Sequence, residues 1–532
     1  MQALKKENLT LEQKLGMTLC ANLAFGEEDF ENALEMIKDH RLGGVWIQDS
    51  PHLDEYVRRI REVADYPVVV ICDAEQGAGE NLIPQQLAIT AAGAKDEDAY
   101  SFGYATGAWL RQHGYNAVTN PVVDVCLLNT PCGHTTRTYG DDYDTVSRLS
   151  IATARGMRDA GILVVAKHYP GGCVMPYDTH MREDISYATA EEMKATHMRP
   201  YFDLLEAGLL DGVMPGHRRF MNIDPEYPTC LSRPVLSMLR EAGFDGFYIS
   251  DALCMMGVVL KYGMEDPIGL CLAAGCDMPL PWEIPIKKCF DAALACYEKG
   301  LVTEEQIDEC LDRILLTQER ILALPEPSAV IPEEHVERVA RMHTASIAAV
   351  CEEGLSPSIS RDGRHLFIMV TDGSTELAPD QYFPGPQDWF HPPVIAEKIK
   401  ELFPNSDAIA MQTYPATRSI INAFSTQVPY EDVVFITYGV TSAYIGPECM
   451  TSRIVSFMDA LQSTDRIAAH LYFGNPFVAT DAPYVPRILM GYISEKSVEH
   501  ALRILAGEAT PEGQIPYKNL AFHKKGDVLF LK

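Results

Sequence analysis

The sequence predicts an α/β protein in two parts: an N-terminal TIM-like (β/α)8 barrel, then a C-terminal three-layer α/β sandwich domain. Three observations carry this prediction. Short runs rich in Val and Ile alternate with helix-like segments over the first three hundred residues, most of these runs end on an ionisable residue, and strand-like runs recur beyond a proline-rich break near residue 330.

The first-half strands are read as GGVWI (43 to 47), PVVVICD (67 to 73), AVTNPVVDV (117 to 125), GILVVAKH (161 to 168), GLLDGVMPGH (208 to 217), GFYISD (246 to 251) and AAGCDMPLP (273 to 281). Seven runs suit an eight-stranded barrel with one strand unread. Their polar residues fall at or near the ends: Asp73, Asp124, Lys167 with His168, His217, Asp251 and Asp277. In a parallel barrel those ends converge on the one face that carries active sites. A doubly wound open sheet also gathers ligands at strand C-termini, without encircling them.

TEEQIDECLDRILLTQERILAL (303 to 324) has apolar residues at helical spacing behind a Thr N-cap and predicts a long amphipathic helix that closes the barrel domain. PEPSAVIPEEH (325 to 335) holds three prolines in eleven residues and suits a linker. A helix then leads to the strand-like runs HLFIMVTD (365 to 372), DAIAMQTY (407 to 414), DVVFITYG (432 to 439) and RIAAHLYFGNP (466 to 476). The expected division is therefore a barrel over 1–324, a linker over 325–339 and an α/β domain over 340–532.

At 532 residues, with 47% hydrophobic and 22% charged side chains, the chain can bury a large core. Forty-four basic residues against 74 acidic ones give a formal net charge of -30, which disfavours nucleic acid and anionic membranes as partners. Fourteen cysteines are scattered along the chain, the N-terminus shows no apolar run resembling a signal peptide, and no stretch is long enough to span a bilayer. Reduced thiols in a cytoplasmic protein are expected. HExxH and zinc-type cysteine spacing are absent, so no metal or other cofactor is expected.

The stretch KHYPGGCVMPYDTH (167 to 180) sets two basic groups before a Pro-Gly-Gly turn and closes on Asp178, Thr179 and His180. His180 suits a proton donor, because imidazole titrates near neutrality and Asp178 is placed to hold its ring and favour the charged form. A DxH in a loop also suits plain surface decoration. Asp251, directly after an apolar run, suits a nucleophile that attacks an anomeric carbon opposite an acid, and suits a helix cap equally well. Lys167 at the end of an apolar strand must find water or an anionic or hydroxyl-rich partner. Asp73, Arg137, His168 and His217 either hydrogen-bond sugar hydroxyls or are ordinary loop residues.

This stretch resembles the KHFPGHGDTxxDSH signature of glycoside hydrolase family 3, β-N-acetylglucosaminidase branch, with no insertion between the Lys and the final His. Other segments agree in order: DAEQG (73 to 77) resembles DQEGG, NPVVDV and RTYGDD (137 to 142) resemble APVLDV and RSFGxD, VMPGH (213 to 217) resembles VMxxH, ISDALCM (249 to 255) resembles SDDLxM, and AAGCDM (273 to 278) resembles AGxDM. The resemblance implies that Asp251 is the nucleophile, His180 the general acid/base and Asp178 its orienting carboxylate. It implies that Asp73, Arg137, Lys167, His168 and His217 bind the sugar. It further implies a retaining exo-acting enzyme that removes terminal β-linked N-acetylglucosamine from a small carbohydrate through a covalent glycosyl-Asp intermediate. GNPFV and LAGEATPEGQIP resemble the second domain of two-domain members.

The chain departs from the family pattern at Gly172, Cys173 and Val174, where HGD is usual, at Ala252 in SDD, and at Ala78 and Gly79, where an Arg commonly follows DQEGG. The alternatives are a phosphorylase, since a histidine repels phosphate less than a glutamate does, a β-glycosidase for another sugar, and a non-catalytic sugar-binding protein.

Overall fold

The structure, a computed structural model, describes all residues except 49–51, 128–134, 172–177, 372–390, 440–448, 528 and 530–532. Gly172, Cys173 and Val174 lie outside the described residues. The chain forms two compact units: Met1–Leu82 with Asp96–Leu127 and Asp141–Val339, and Ile83–Lys95 with Leu128–Gly140 and Ala340–Lys532.

In the first unit seven parallel strands curl into one sheet in chain order: β1 (Cys20–Asn22), β2 (Gly44–Trp46), β3 (Val69–Asp73), β4 (Ala117–Thr119), β5 (Leu163–Tyr169), β6 (Gly212–Pro215) and β7 (Phe247–Tyr248). The strand expected over 273 to 281 contributes a single bridge, Ile249 to Met278, before the Cys20 N–H meets the Pro279 carbonyl at 3.4 Å and brings the last segment to the first. A full ladder cannot form there because Pro279 and Pro281 carry no N–H. The strand not read from sequence is β1, a Cys-Ala-Asn triplet without a β-branched residue, directly behind the helix Leu11–Met17.

The strands are apolar on both faces, as a parallel sheet covered by helices requires. Val69 and Ile71, Leu163 and Val165, and Phe247 and Ile249 share one core cluster at every second position, while Val70, Val164 and Tyr248 between them are buried on the opposite face. Each such side chain contributes about 1.5–3 kcal/mol by leaving water. The helix Glu304–Leu322 starts on the expected Thr303 cap: Thr303 Oγ1 accepts the Gln306 N–H at 3.3 Å, and Gln306 Oε1 accepts the Thr303 N–H at 2.9 Å.

In the second unit six strands form one sheet: β8 (Ala348–Cys351), β9 (His365–Thr371), β10 (Asp407–Gln412), β11 (Asp432–Gly439), β12 (Ile467–Gly474) and β13 (Arg487–Gly491), in the order β8-β13-β12-β11-β9-β10. Only β8 runs antiparallel to its neighbour among these described strands. Apolar clusters lie on both faces, one around Phe367, Val434 and Leu471 and the other around Ile368, Phe435 and Phe457. The segments Ile83–Lys95 and Leu128–Gly140 join this unit through Gln514 N–H to Ala91 O (2.8 Å), Leu87 N–H to Thr136 O (3.1 Å) and Tyr517 O–H to Thr135 O (2.6 Å).

Candidate active site

Strand ends of the first unit bring most of the expected residues to one region. At the end of β3, the Asp73 carboxylate accepts from Thr119 Oγ1 and from Lys167 Nζ on β5. Lys167 is 1% exposed, and Glu75 Oε1 lies 2.6 Å from its ammonium, so two carboxylates neutralise a cation that burial alone would make costly. The Asp73 side chain remains 40% exposed. It is the member of this set that offers acceptor oxygens to a ligand.

His168 follows on the same strand. The Asp124 carboxylate, buried just past β4, accepts the His168 backbone N–H at 3.2 Å and lies 2.9 Å from its Nδ1, which orients the ring. Glu75 is absent from the sequence reading, and Asp124 enters it only as a strand-end group without a role. Their signal was present, because DAEQG carries the glutamate two residues past Asp73 and NPVVDV ends a strand on the aspartate.

His217, two residues beyond β6, is buried with both ring nitrogens engaged. Its Nε2 lies 2.9 Å from the Ala252 carbonyl oxygen, which can only accept, so Nε2 carries the proton. Nδ1 therefore accepts from the Cys230 thiol at 3.2 Å. Burial pushes the Cys230 thiol up and the His217 imidazole down, so the thiol keeps its proton and the ring stays neutral. His217 thus fixes the chain immediately after Asp251.

Asp251 donates its backbone N–H to Pro215 O at 3.1 Å, and its Oδ1 accepts the Ala252 N–H at 2.8 Å. Burial acts to raise its carboxyl pKa. The imidazoles of His217, His168 and His180, together with the Ala252 N–H, outweigh burial and bring it down to about 2.

His180 lies on a turn between β5 and a short strand at Ile185–Ser186. Asp178 Oδ1 accepts the His180 backbone N–H at 2.9 Å and lies 2.7 Å from its Nδ1, leaving Nε2 as the remaining proton-transfer position. The imidazole is 30% exposed. The turn is seated on the segment that follows Asp251: Met256 N–H donates to His180 O and Gly257 N–H to Thr179 O, each at 3.2 Å.

Two expectations are placed differently. Asp277 does not join the strand-end set. Its carboxylate is fully buried and accepts from Tyr248 N–H (2.7 Å), Arg240 (2.8 Å) and Arg313 (2.7 Å). Because Met278 points into the barrel core, its neighbour must point out toward the helices. Arg137 lies in the second unit, within Leu128–Gly140.

An ionised carboxylate, and an imidazole carried by a second carboxylate on a nearby turn, are the groups that glycoside hydrolysis calls for. The comparisons make the family definite. Residues 10–317 match the family model for the Glycosyl hydrolase family 3 N terminal domain, and the chain belongs to that family. A beta-hexosaminidase of Tolumonas auensis is 30% identical over 260 residues, covering 46% of this chain and 77% of that protein. A beta-N-acetylglucosaminidase/beta-glucosidase of Cellulomonas fimi is 27% identical over 394 residues, 68% of each chain. Among solved structures, a glycoside hydrolase family 3 beta-N-acetylglucosaminidase from Paenibacillus sp. superposes with a TM-score of 0.80 at 22% identity, covering 96% of this chain and 99% of that one. The beta-glucoside phosphorylase BglX superposes at 0.78 and 21% identity, covering 97% and 96%. No helix among the described residues is long and apolar enough to cross a membrane.

Proposed function

We propose that the protein is a retaining, exo-acting β-N-acetylglucosaminidase. His180 Nε2–H protonates the glycosidic oxygen while an Asp251 oxygen attacks the anomeric carbon, so the C–O bond to the leaving group breaks as the glycosyl-Asp bond forms. His180, now neutral, takes a proton from water, whose oxygen attacks the same carbon and releases Asp251 as carboxylate. Asp178 steadies the imidazolium. Asp73 accepts from sugar hydroxyls, with Lys167 and His168 holding it and the neighbouring strand end in place.

One observation carries this reading: the Asp178–His180 turn is hydrogen-bonded to the segment that leaves Asp251. The sugar identity is supported by the naming of the relatives above. Ten of the twelve described cysteines are buried, which accords with the scattered thiols of a cytoplasmic protein.

The test is turnover of an aryl β-N-acetylglucosaminide by wild type and Asp251→Ala. The variant is expected to lose at least about 1,000-fold in kcat, some 4 kcal/mol of barrel-site chemistry. Product analysis in phosphate buffer is expected to return free sugar and no sugar 1-phosphate. Equal turnover by the two proteins rejects the assignment.

A further inference from the structure

We propose that Gly257 is a positioning residue that sets the acid/base histidine against the nucleophile. The inference rests on the glycosidase reading above and deepens it.

The helix Met256–Tyr262 begins behind Met255, whose side chain provides no cap. Its first amides therefore need acceptors from elsewhere. They find them in the backbone of the acid/base turn: Met256 N–H donates to His180 O and Gly257 N–H to Thr179 O, each at 3.2 Å. The turn is itself closed by Met181 N–H and Arg182 N–H, both donating to Asp178 O at 3.0 and 3.2 Å. Asp178, Thr179 and His180 thus stand on one hydrogen-bonded turn, and the carbonyls of Thr179 and His180 rest on the helix start.

The approach is close enough that any side chain at 257 makes its neighbours give. A Cβ built at Gly257 stands 3.2 Å from Thr179 O, 3.3 Å from Arg182 O and 3.7 Å from His217 Cβ. Two of these neighbours are backbone carbonyls of the turn and the third belongs to the histidine that anchors Ala252. A methyl group there presses on the turn, while the helix start has little room to recede, since Gly257 and Val258 are both buried. The turn must give, and His180 with it. Proton transfer is steep in distance and angle, so a shift of a few tenths of an ångström falls on the acid step rather than on sugar binding.

The chemistry supplies a readout that a structural role would not move. Leaving groups of low pKa depart without a proton, whereas poor leaving groups need His180. We would measure kcat/KM for wild type, Gly257→Ala, His180→Ala and the double variant on two aryl β-N-acetylglucosaminides, one with a dinitrophenol and one with an unsubstituted phenol leaving group. Gly257→Ala is expected to lose about 10- to 100-fold on the phenyl substrate, little on the dinitrophenyl substrate, and nothing further in the His180→Ala background. Its melting temperature should hold, since alanine is the better helix former and Gly257 does not occupy a left-handed conformation. A variant that folds less well lowers both substrates by one factor, so the ratio between substrates still decides. Equal losses on both substrates, full additivity with His180→Ala, or a wild-type ratio would each overturn the proposal. A wild type inert on both substrates would instead reject the β-N-acetylglucosaminidase reading itself.

Discussion

Oδ1 of Asp178 receives the backbone N–H of His180 at 2.9 Å and stands 2.7 Å from Nδ1 of the same residue. One carboxylate oxygen therefore controls both the turn and the tautomer, leaving Nε2 as the position at which a proton can be delivered. Replacing Asp178 with Asn keeps an acceptor for the backbone N–H and the ring but removes the negative charge beside Nδ1. Asp178→Asn is expected to lower kcat/KM on a phenyl glycoside by about 100-fold and on a dinitrophenyl glycoside far less. Steady-state kinetics on the two substrates check it, and equal losses would assign Asp178 to folding alone.

Two histidines away from the chemistry make stability depend on pH. Burial, assisted by Arg218, takes the His197 imidazole down to about 4, and burial takes His470 down to about 3. An unfolded histidine titrates near 6.5, so below that pH the unfolded chain binds protons that the folded chain refuses. The stability is complete above about 6.5 and is lost as pH falls toward those folded values, by about 2 kcal/mol per histidine between pH 7 and pH 5. His470→Gln keeps an amide near Thr437 Oγ1, now 2.7 Å from Nε2, and does not titrate. Urea midpoints at the two pH values should differ less in that variant by this amount. An unchanged difference would place the pH sensitivity elsewhere.

Asp277 separates structure from chemistry. Its buried carboxylate serves Arg240, Arg313 and the Tyr248 N–H together. Asp277→Ala leaves two partly buried guanidinium groups without that anion and is expected to cost about 3–5 kcal/mol, read as a fall in melting temperature. The folded fraction should keep the wild-type ratio of activity on phenyl and dinitrophenyl substrates. A changed ratio would mean that Asp277 acts on the site after all.

The legible features are those written in local pattern. The strands from β2 to β7 announce themselves because helices cover one face and the barrel core the other, which forces continuous apolar runs. β1 escapes notice because three residues without a β-branched side chain carry no such pattern, and its place is decided by pairing with β2. The eighth segment reads as a strand by composition, yet its prolines limit it to one bridge. The site divides in the same way. Asp251, Asp178 and His180 stand in motifs that can be read in order. The Glu75 clamp on Lys167 and the thiol that sets the His217 tautomer come from distant segments whose meeting no periodicity records.

By itself the sequence determined the order of strands and helices, the family, and the residue types available at each strand end, because burial and turn chemistry leave local signatures. Tertiary structure alone decided that Asp277 turns outward to arginines, that His217 braces Ala252 instead of standing free, and that the turn bearing His180 rests on Gly257. Those outcomes depend on how the curled sheet brings loops together, and contact between loops of distant strands is a property of the whole sheet rather than of any one stretch of it.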